Sequence, residues 1–130
     1  MADQPQQRRG VRGLAAAVET LAALAPLPVT ARITPARYPP AVEATAYFVI
    51  SEALANVARH ARASKAEVTA CGDGGRLVVE VRDDGTGGAP ARGGSGLTGL
   101  ADRVAALGGR LTITSPPGGG TTIRAGLPCA

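Results

Sequence analysis

The sequence predicts an α+β fold, a two-layer sandwich in which one mixed, mostly antiparallel sheet carries helices on one face. Three observations predict it. Helical and strand periodicities alternate in the order α, β, α, β, β, α, β, β, and four of the five strand candidates form two pairs, each joined by a short Gly-rich turn. The third is composition: 130 residues, 45% apolar and 18% charged, suffice for one hydrophobic core and exclude a chain disordered throughout. With aromatics at 2%, that core is built of aliphatic side chains.

Residues 1–9 are polar and carry no packing signal, as expected of a disordered tail. Leu14, Val18, Leu21 and Leu24 then recur at helical spacing until Pro26 and Pro28 stop the helix. A short strand is expected over 29–33, followed by a Pro-punctuated loop. Pro40 and Glu43 mark the first turn of a long helix predicted to run to about Ala61. Within it Tyr47, Ile50, Leu54, Val57 and Ala61 fall in an arc of about 80° and make the core stripe. Glu52, Asn56 and His60, each four residues after the last, line the opposite side.

Residues 66–72 and 76–82 read as a hairpin turning through Asp73-Gly74-Gly75. In its second strand Leu77, Val79 and Val81 point one way, and continuing the alternation puts Asp83 on that apolar side. A Gly-rich loop leads to a helix with Leu97, Leu100, Val104 and Leu107 inward, stopped by Gly108-Gly109. The last hairpin, 111–115 and 121–125, turns through Pro116-Pro117-Gly118-Gly119-Gly120.

Charge and cysteine usage narrow the function classes. The net charge is +4, but the basic residues are scattered and no aromatic side chains alternate with them, so no nucleic-acid partner is expected. Cys71, Cys129 and one histidine supply neither a disulfide scaffold nor a structural zinc site. No apolar run long enough to span a membrane occurs, nor any signal peptide.

Three stretches carry chemistry. In Asp83-Asp84-Gly85-Thr86-Gly87-Gly88 an inward carboxylate is costly unless satisfied, and a ligand with an exocyclic amine such as adenine would satisfy it. The glycines after it let backbone approach that ligand. Gly93-Gly94-Ser95-Gly96-Leu97-Thr98-Gly99-Leu100 opens a helix whose free N–H groups favour phosphate. Its Gly-x-Gly-x-x-Gly spacing is not the dinucleotide fingerprint, because no strand precedes it directly. Glu52 and Asn56 add an acid and an amide suited to Mg²⁺ and proton handling. Together the three describe a nucleotide site.

Glu52-x-x-x-Asn56-x-x-Arg59-His60-Ala61, then Asp83-x-Gly85-x-Gly87, then Gly94-x-Gly96-Leu97-x-Gly99-Leu100, resemble the N, G1 and G2 boxes of the ATP-binding catalytic domain of sensor histidine kinases. That domain has the Bergerat ATP fold, shared with gyrase, the heat-shock chaperone and mismatch-repair ATPases. Residues 44–57 and the ending from Gly108 to Thr121 are similar to the subgroup paired with helix-turn-helix response regulators. The resemblance implies a tail or linker over 1–12 and the catalytic domain over 13–130, with ATP and Mg²⁺ as cofactors. It implies that Asp83 reads the adenine amine, that Gly85 and Gly87 admit the purine, that Asn56 ligates Mg²⁺, and that Glu52 acts as general base or orients the acceptor imidazole. Arg59 or His60 would touch phosphate. Gly94, Ser95, Gly96, Leu97, Thr98 and Gly99 would form hinge and cradle, with 88–95 as a lid. A lysine often precedes the box histidine in this family, and here Arg59 does.

A complete kinase of this type also needs a dimerisation domain with the phosphoacceptor histidine, and the sole histidine here lies inside the ATP box. The resemblance therefore implies a cytoplasmic catalytic domain, monomeric in isolation, which works on the acceptor domain of its own kinase and through it on a response regulator. It leaves a membrane anchor in the full-length kinase open. The alternatives are a stand-alone anti-sigma-type serine kinase of the same fold and a scaffolding domain with a vestigial pocket.

Overall fold

The computed structural model describes residues 5–86 and 95–129, with side chains from Gly13 onward except those of His60, Ala61, Ser95 and Gly96. Its elements are α1 (Pro5–Leu24), β1 (Val29–Ile33), α2 (Pro40–Asn56), a π-helical turn (Val57–Ala61), β2 (Ala66–Asp73), β3 (Arg76–Asp83), α3 (Ser95–Ala106), β4 (Arg110–Thr114) and β5 (Thr121–Pro128). The five strands form one sheet in the order β1-β2-β3-β5-β4. Only β1 against β2 is parallel; the other three pairings are antiparallel. The mixed, mostly antiparallel sheet and its one-sided helical layer match the fold class expected from the sequence.

Strand alternation decides where the core sits. Val68 and Ala70 on β2, Leu77, Val79 and Val81 on β3, and Ile123, Ala125 and Leu127 on β5 are all buried beneath the helices. The opposite face carries Arg32, Glu67, Glu80, Arg82 and Arg124, with an Arg124–Glu80 contact of 3.4 Å, and stays open to water. Because the side-chain period is two, a one-residue slip of β3 would bring Glu80 and Arg82 inside, so the register is strongly specified. The β2–β3 turn shortens to Gly74-Gly75, since Asp73 pairs with Arg76. Both glycines have positive φ, 61° and 83°, as a two-residue hairpin requires.

Four local features depart from the sequence reading. The first helix begins at Pro5, inside the segment expected to be a disordered tail or linker, and kinks at Gly13 (φ 38°, ψ −109°). A Cβ at Gly13 would stand 3.0 Å from the Arg37 Nε, so the bend lets α1 close on the Arg37–Glu43 pair. Leu24 shares the helical spacing of the buried Leu14 and Val18 but is 77% exposed at the helix end. The long helix keeps α geometry only to Asn56; a π turn follows, ended by Arg62 in the left-handed region at φ 50°. On α2 burial extends beyond the expected stripe to Val42, Thr45, Ala46, Val49 and Ala53, because the helix lies between α1, α3 and the sheet.

The loop before α2 is set by one carboxylate. Glu43 accepts two Arg37 N–H bonds at 2.9 Å each and the Tyr38 amide at 3.0 Å. The Arg37 hydrogen bond, outweighing the cost of burial, holds the Glu43 carboxyl below its usual range.

Candidate nucleotide site

α2 packs on β3 and against α3, which brings the three stretches singled out in the sequence onto adjoining elements. Asp83 closes β3 on the same side as the buried Leu77, Val79 and Val81, as the strand phase predicts. It is half-buried. Its Oδ1 accepts the Gly85 N–H at 2.8 Å, and Oδ2 has no hydrogen-bond partner among the described residues. Gly85 itself is buried. A carboxylate in this setting, with one oxygen fixed and the other available, fits a ligand that brings its own N–H donor.

Neighbouring residues that the sequence reading did not single out hold the turn in place. Asp84 points to the other side, where its carboxylate accepts from the Ser64 hydroxyl, the Ser64 amide at 2.8 Å and the Lys65 amide at 3.1 Å. These bonds, the Ser64 hydroxyl's foremost, lower its pKa from 3.8 to about 2. Asp84 thus ties the β3 turn to the segment that follows the π turn. On the far side, Thr121 pairs in register with Asp83, and a Cβ on Gly120 would collide with the Asp83 carbonyl. The Gly118 N–H donates to the Thr86 carbonyl. Only Asp84's place beside Asp83 and the Gly118-Gly119-Gly120-Thr121 run were visible in sequence. Neither shows which strands meet.

Glu52, Asn56 and Arg59 come together on α2 and its π turn. One Arg59 guanidinium nitrogen donates to the Asn56 Oδ1 at 3.1 Å and to the Glu52 Oε2 at 3.3 Å. Arg59 is 56% exposed and Glu52 32%, so solvent weakens this bridge. Asn56 has a second peculiarity: its Nδ2 is buried without a partner among the described residues. An unpaired buried amide costs about 1–3 kcal/mol and is rare where no ligand is bound. An orphaned N–H donor fits a ligand that brings an acceptor oxygen, while the Asn56 Oδ1 and the Glu52 carboxylate both face a positive charge, that of Arg59. His60 lies in the π turn, with its side chain outside the described residues.

α3 starts at Ser95, and Ser95 and Gly96 form its first turn. Leu97 is buried, anchoring the turn to the core, while Thr98 is exposed. A Cβ at Gly99 would meet nothing within 4 Å among the described residues, so this half-buried glycine is not there for close helix packing against them. Gly87, Gly94 and all of the expected lid at 88–95 but Ser95 lie outside the described residues.

Residues 41–130 match the family of histidine kinase-, DNA gyrase B- and HSP90-like ATPases, and the chain belongs to that family. It is 36% identical over 118 residues to the sensor histidine kinase YxjM of Bacillus subtilis, covering 91% of this chain and 29% of that protein. To the histidine-protein kinase/phosphatase UhpB of Salmonella typhimurium it is 40% identical over 86 residues, covering 65% of this chain and 17% of that protein. The histidine kinase domain of the Erythrobacter litoralis blue-light activated histidine kinase superposes with a TM-score of 0.71 at 26% identity, over 89% of this chain and 57% of that one. The chain spans less than a third of the length of these curated relatives. No helix among the described residues is long and apolar enough to cross a membrane.

Proposed function

We propose that the chain is the ATP-binding catalytic domain of a sensor histidine kinase, moving the γ-phosphoryl group of ATP to a histidine on the dimerisation domain of the same kinase, which then serves a response regulator. The observation that carries this reading is the inward Asp83 carboxylate, held by Gly85 and offering a second oxygen, on a strand packed beneath the helix of Glu52 and Asn56. Kinship with sensor histidine kinases favours histidine over the serine acceptor of an anti-sigma-type kinase.

Asp83 takes the purine amine, and the turn at Gly85 and Gly87 admits the ring. Asn56 would hold Mg²⁺ through its Oδ1, while its orphaned Nδ2, an N–H donor, fits a phosphate oxygen. Ligation there requires Arg59 to leave Oδ1, which frees its guanidinium for a phosphate oxygen. Gly94, next before α3 in sequence, and Ser95, Gly96, Thr98 and Gly99 at the start of α3 would cradle the polyphosphate through backbone N–H groups, with Leu97 anchoring the helix start. Bound ATP supplies an activated phosphoryl group. Glu52, released from Arg59, would accept or orient the N–H proton of the acceptor imidazole as its other nitrogen attacks the γ-phosphorus, the bond from that phosphorus to the β-phosphate oxygen breaks and ADP leaves. Such a domain works where ATP is found, at the cytoplasmic side, as a monomer when isolated.

Titration with a fluorescent mant-ATP, with and without Mg²⁺, tests the reading: saturable, Mg²⁺-strengthened binding is expected, and a flat titration leaves only a vestigial pocket. The Glu52→Ala variant separates binding from transfer. It is expected to bind mant-ATP as the wild type does and to lose about 100-fold or more in phosphorylation of an added acceptor domain. Retained transfer removes Glu52 from catalysis.

A further inference from the structure

α2 is buried on most of its circumference, yet its outward stripe carries an aromatic ring. Phe48 is the chain's only phenylalanine, and it is 42% exposed, one of two exposed large apolar side chains among the described residues. The other, Leu24, sits at a helix end. Phe48 is held in place rather than loose: the Arg103 Cζ lies 4.3 Å from its ring centroid, and Tyr47 meets it edge-on at 6.0 Å and 72°. An exposed ring fixed by a cation and a second ring has little side-chain freedom left to lose on being covered, which is the property of an interface anchor.

Its position supplies the occupant. Phe48 stands one helical turn before Glu52 on the same stripe, and the neighbouring outward positions are Ala44, Ser51 and Ala55, small and uncharged. A helix with side chains is about 10–12 Å across and a helical turn rises about 5.4 Å, so any helix that brings an imidazole to Glu52 also covers the position one turn away.

We propose that Phe48, steadied by Arg103 and flanked by Ala44, Ser51 and Ala55, is the anchor on which the histidine-bearing helix of the kinase docks. The inference rests on the kinase reading above. The ring sets where the acceptor helix lies; the small residues let it come close; Glu52 meets the imidazole it carries. Arg103 keeps a positive rim beside the ring, which favours an acidic side chain on the docking helix.

The test uses this 130-residue chain with the histidine-bearing dimerisation domain of the Bacillus subtilis relative YxjM, supplied in trans over a range of concentrations with radiolabelled ATP. Phe48→Ala is expected to raise the KM for the acceptor about tenfold, the effect of losing an aromatic anchor, with kcat within about twofold. Its mant-ATP affinity and melting temperature should match the wild type, and Phe48→Tyr should restore the KM. An unchanged KM overturns the proposal. So does loss of mant-ATP binding in Phe48→Ala, which would place the ring in the nucleotide site. Self-association of the wild type that Phe48→Glu abolishes would assign the face to a second copy and also overturn it. A wild type that binds ATP but phosphorylates no acceptor sinks the histidine-bearing helix as occupant. One that binds no ATP sinks the kinase reading instead.

Discussion

The turn that ends β3 and the outward face of α2 belong to elements packed on each other and are built in opposite ways. The turn is fixed from several directions: Gly85 holds Asp83, three donors hold Asp84, and Gly120 lies against the Asp83 carbonyl. The α2 face is held by one exposed guanidinium at 3.1 and 3.3 Å and contains a buried amide nitrogen with no partner among the described residues. A binding position whose backbone is pinned before the ligand arrives loses little entropy on binding. Side chains that are paired only with each other can re-pair. The difference fits a rigid reader at the purine end and an adaptable end where metal, phosphate and acceptor meet.

The largest expected effect breaks the rigid side of this comparison. Asp83→Asn replaces an acceptor oxygen with a donor while keeping shape, and it should lower nucleotide affinity at least about 100-fold with little change in melting temperature. Unaltered mant-ATP affinity would refute Asp83 as the purine reader. Next comes Gly120→Ala. Its Cβ would meet the Asp83 carbonyl, and its φ of 75° disfavours any side chain, so the variant should be destabilised by about 1–3 kcal/mol and bind nucleotide more weakly. A variant as stable as wild type in urea would show that the turn is not supported from β5.

The smallest effect sharpens the comparison through pH. Asp84 has its pKa lowered on folding from 3.8 to about 2, so its contribution to stability is complete above the unfolded value and disappears as pH falls through the folded one. Asp84→Asn should therefore melt below the wild type near neutral pH, with the gap closing as pH falls from 3.8 to about 2. A gap that persists at the acid end would mean that the Ser64 and Lys65 bonds do not depend on the charge.

Much of the fold was legible because strand and helix periods are local. Leu77, Val79 and Val81 announce which side of β3 is inward, and the same alternation placed Asp83 correctly. Leu97, Leu100 and Val104 announce the buried face of α3. The end of α2 was not legible: nothing in Val57-Ala58-Arg59-His60-Ala61 distinguishes a π turn from another α turn, because the choice depends on what the last turn packs against. Leu24 misled for the same reason. Its spacing is right, but the helix has run past its neighbours.

By itself the sequence determined the order of elements, the inward phase of each strand and the chemical inventory of acid, amide, cation and glycines, since these follow from near-neighbour geometry and residue type. Only the tertiary structure decided that β5 would lay Thr121 and Gly120 against Asp83, that Asp84 would fasten the loop after α2, and that Arg59 would bridge Glu52 and Asn56. Each of those contacts joins segments whose meeting is set by pairing across the sheet or by how the end of a helix winds, and neither quantity is written in the spacing of residues along one strand or one helix.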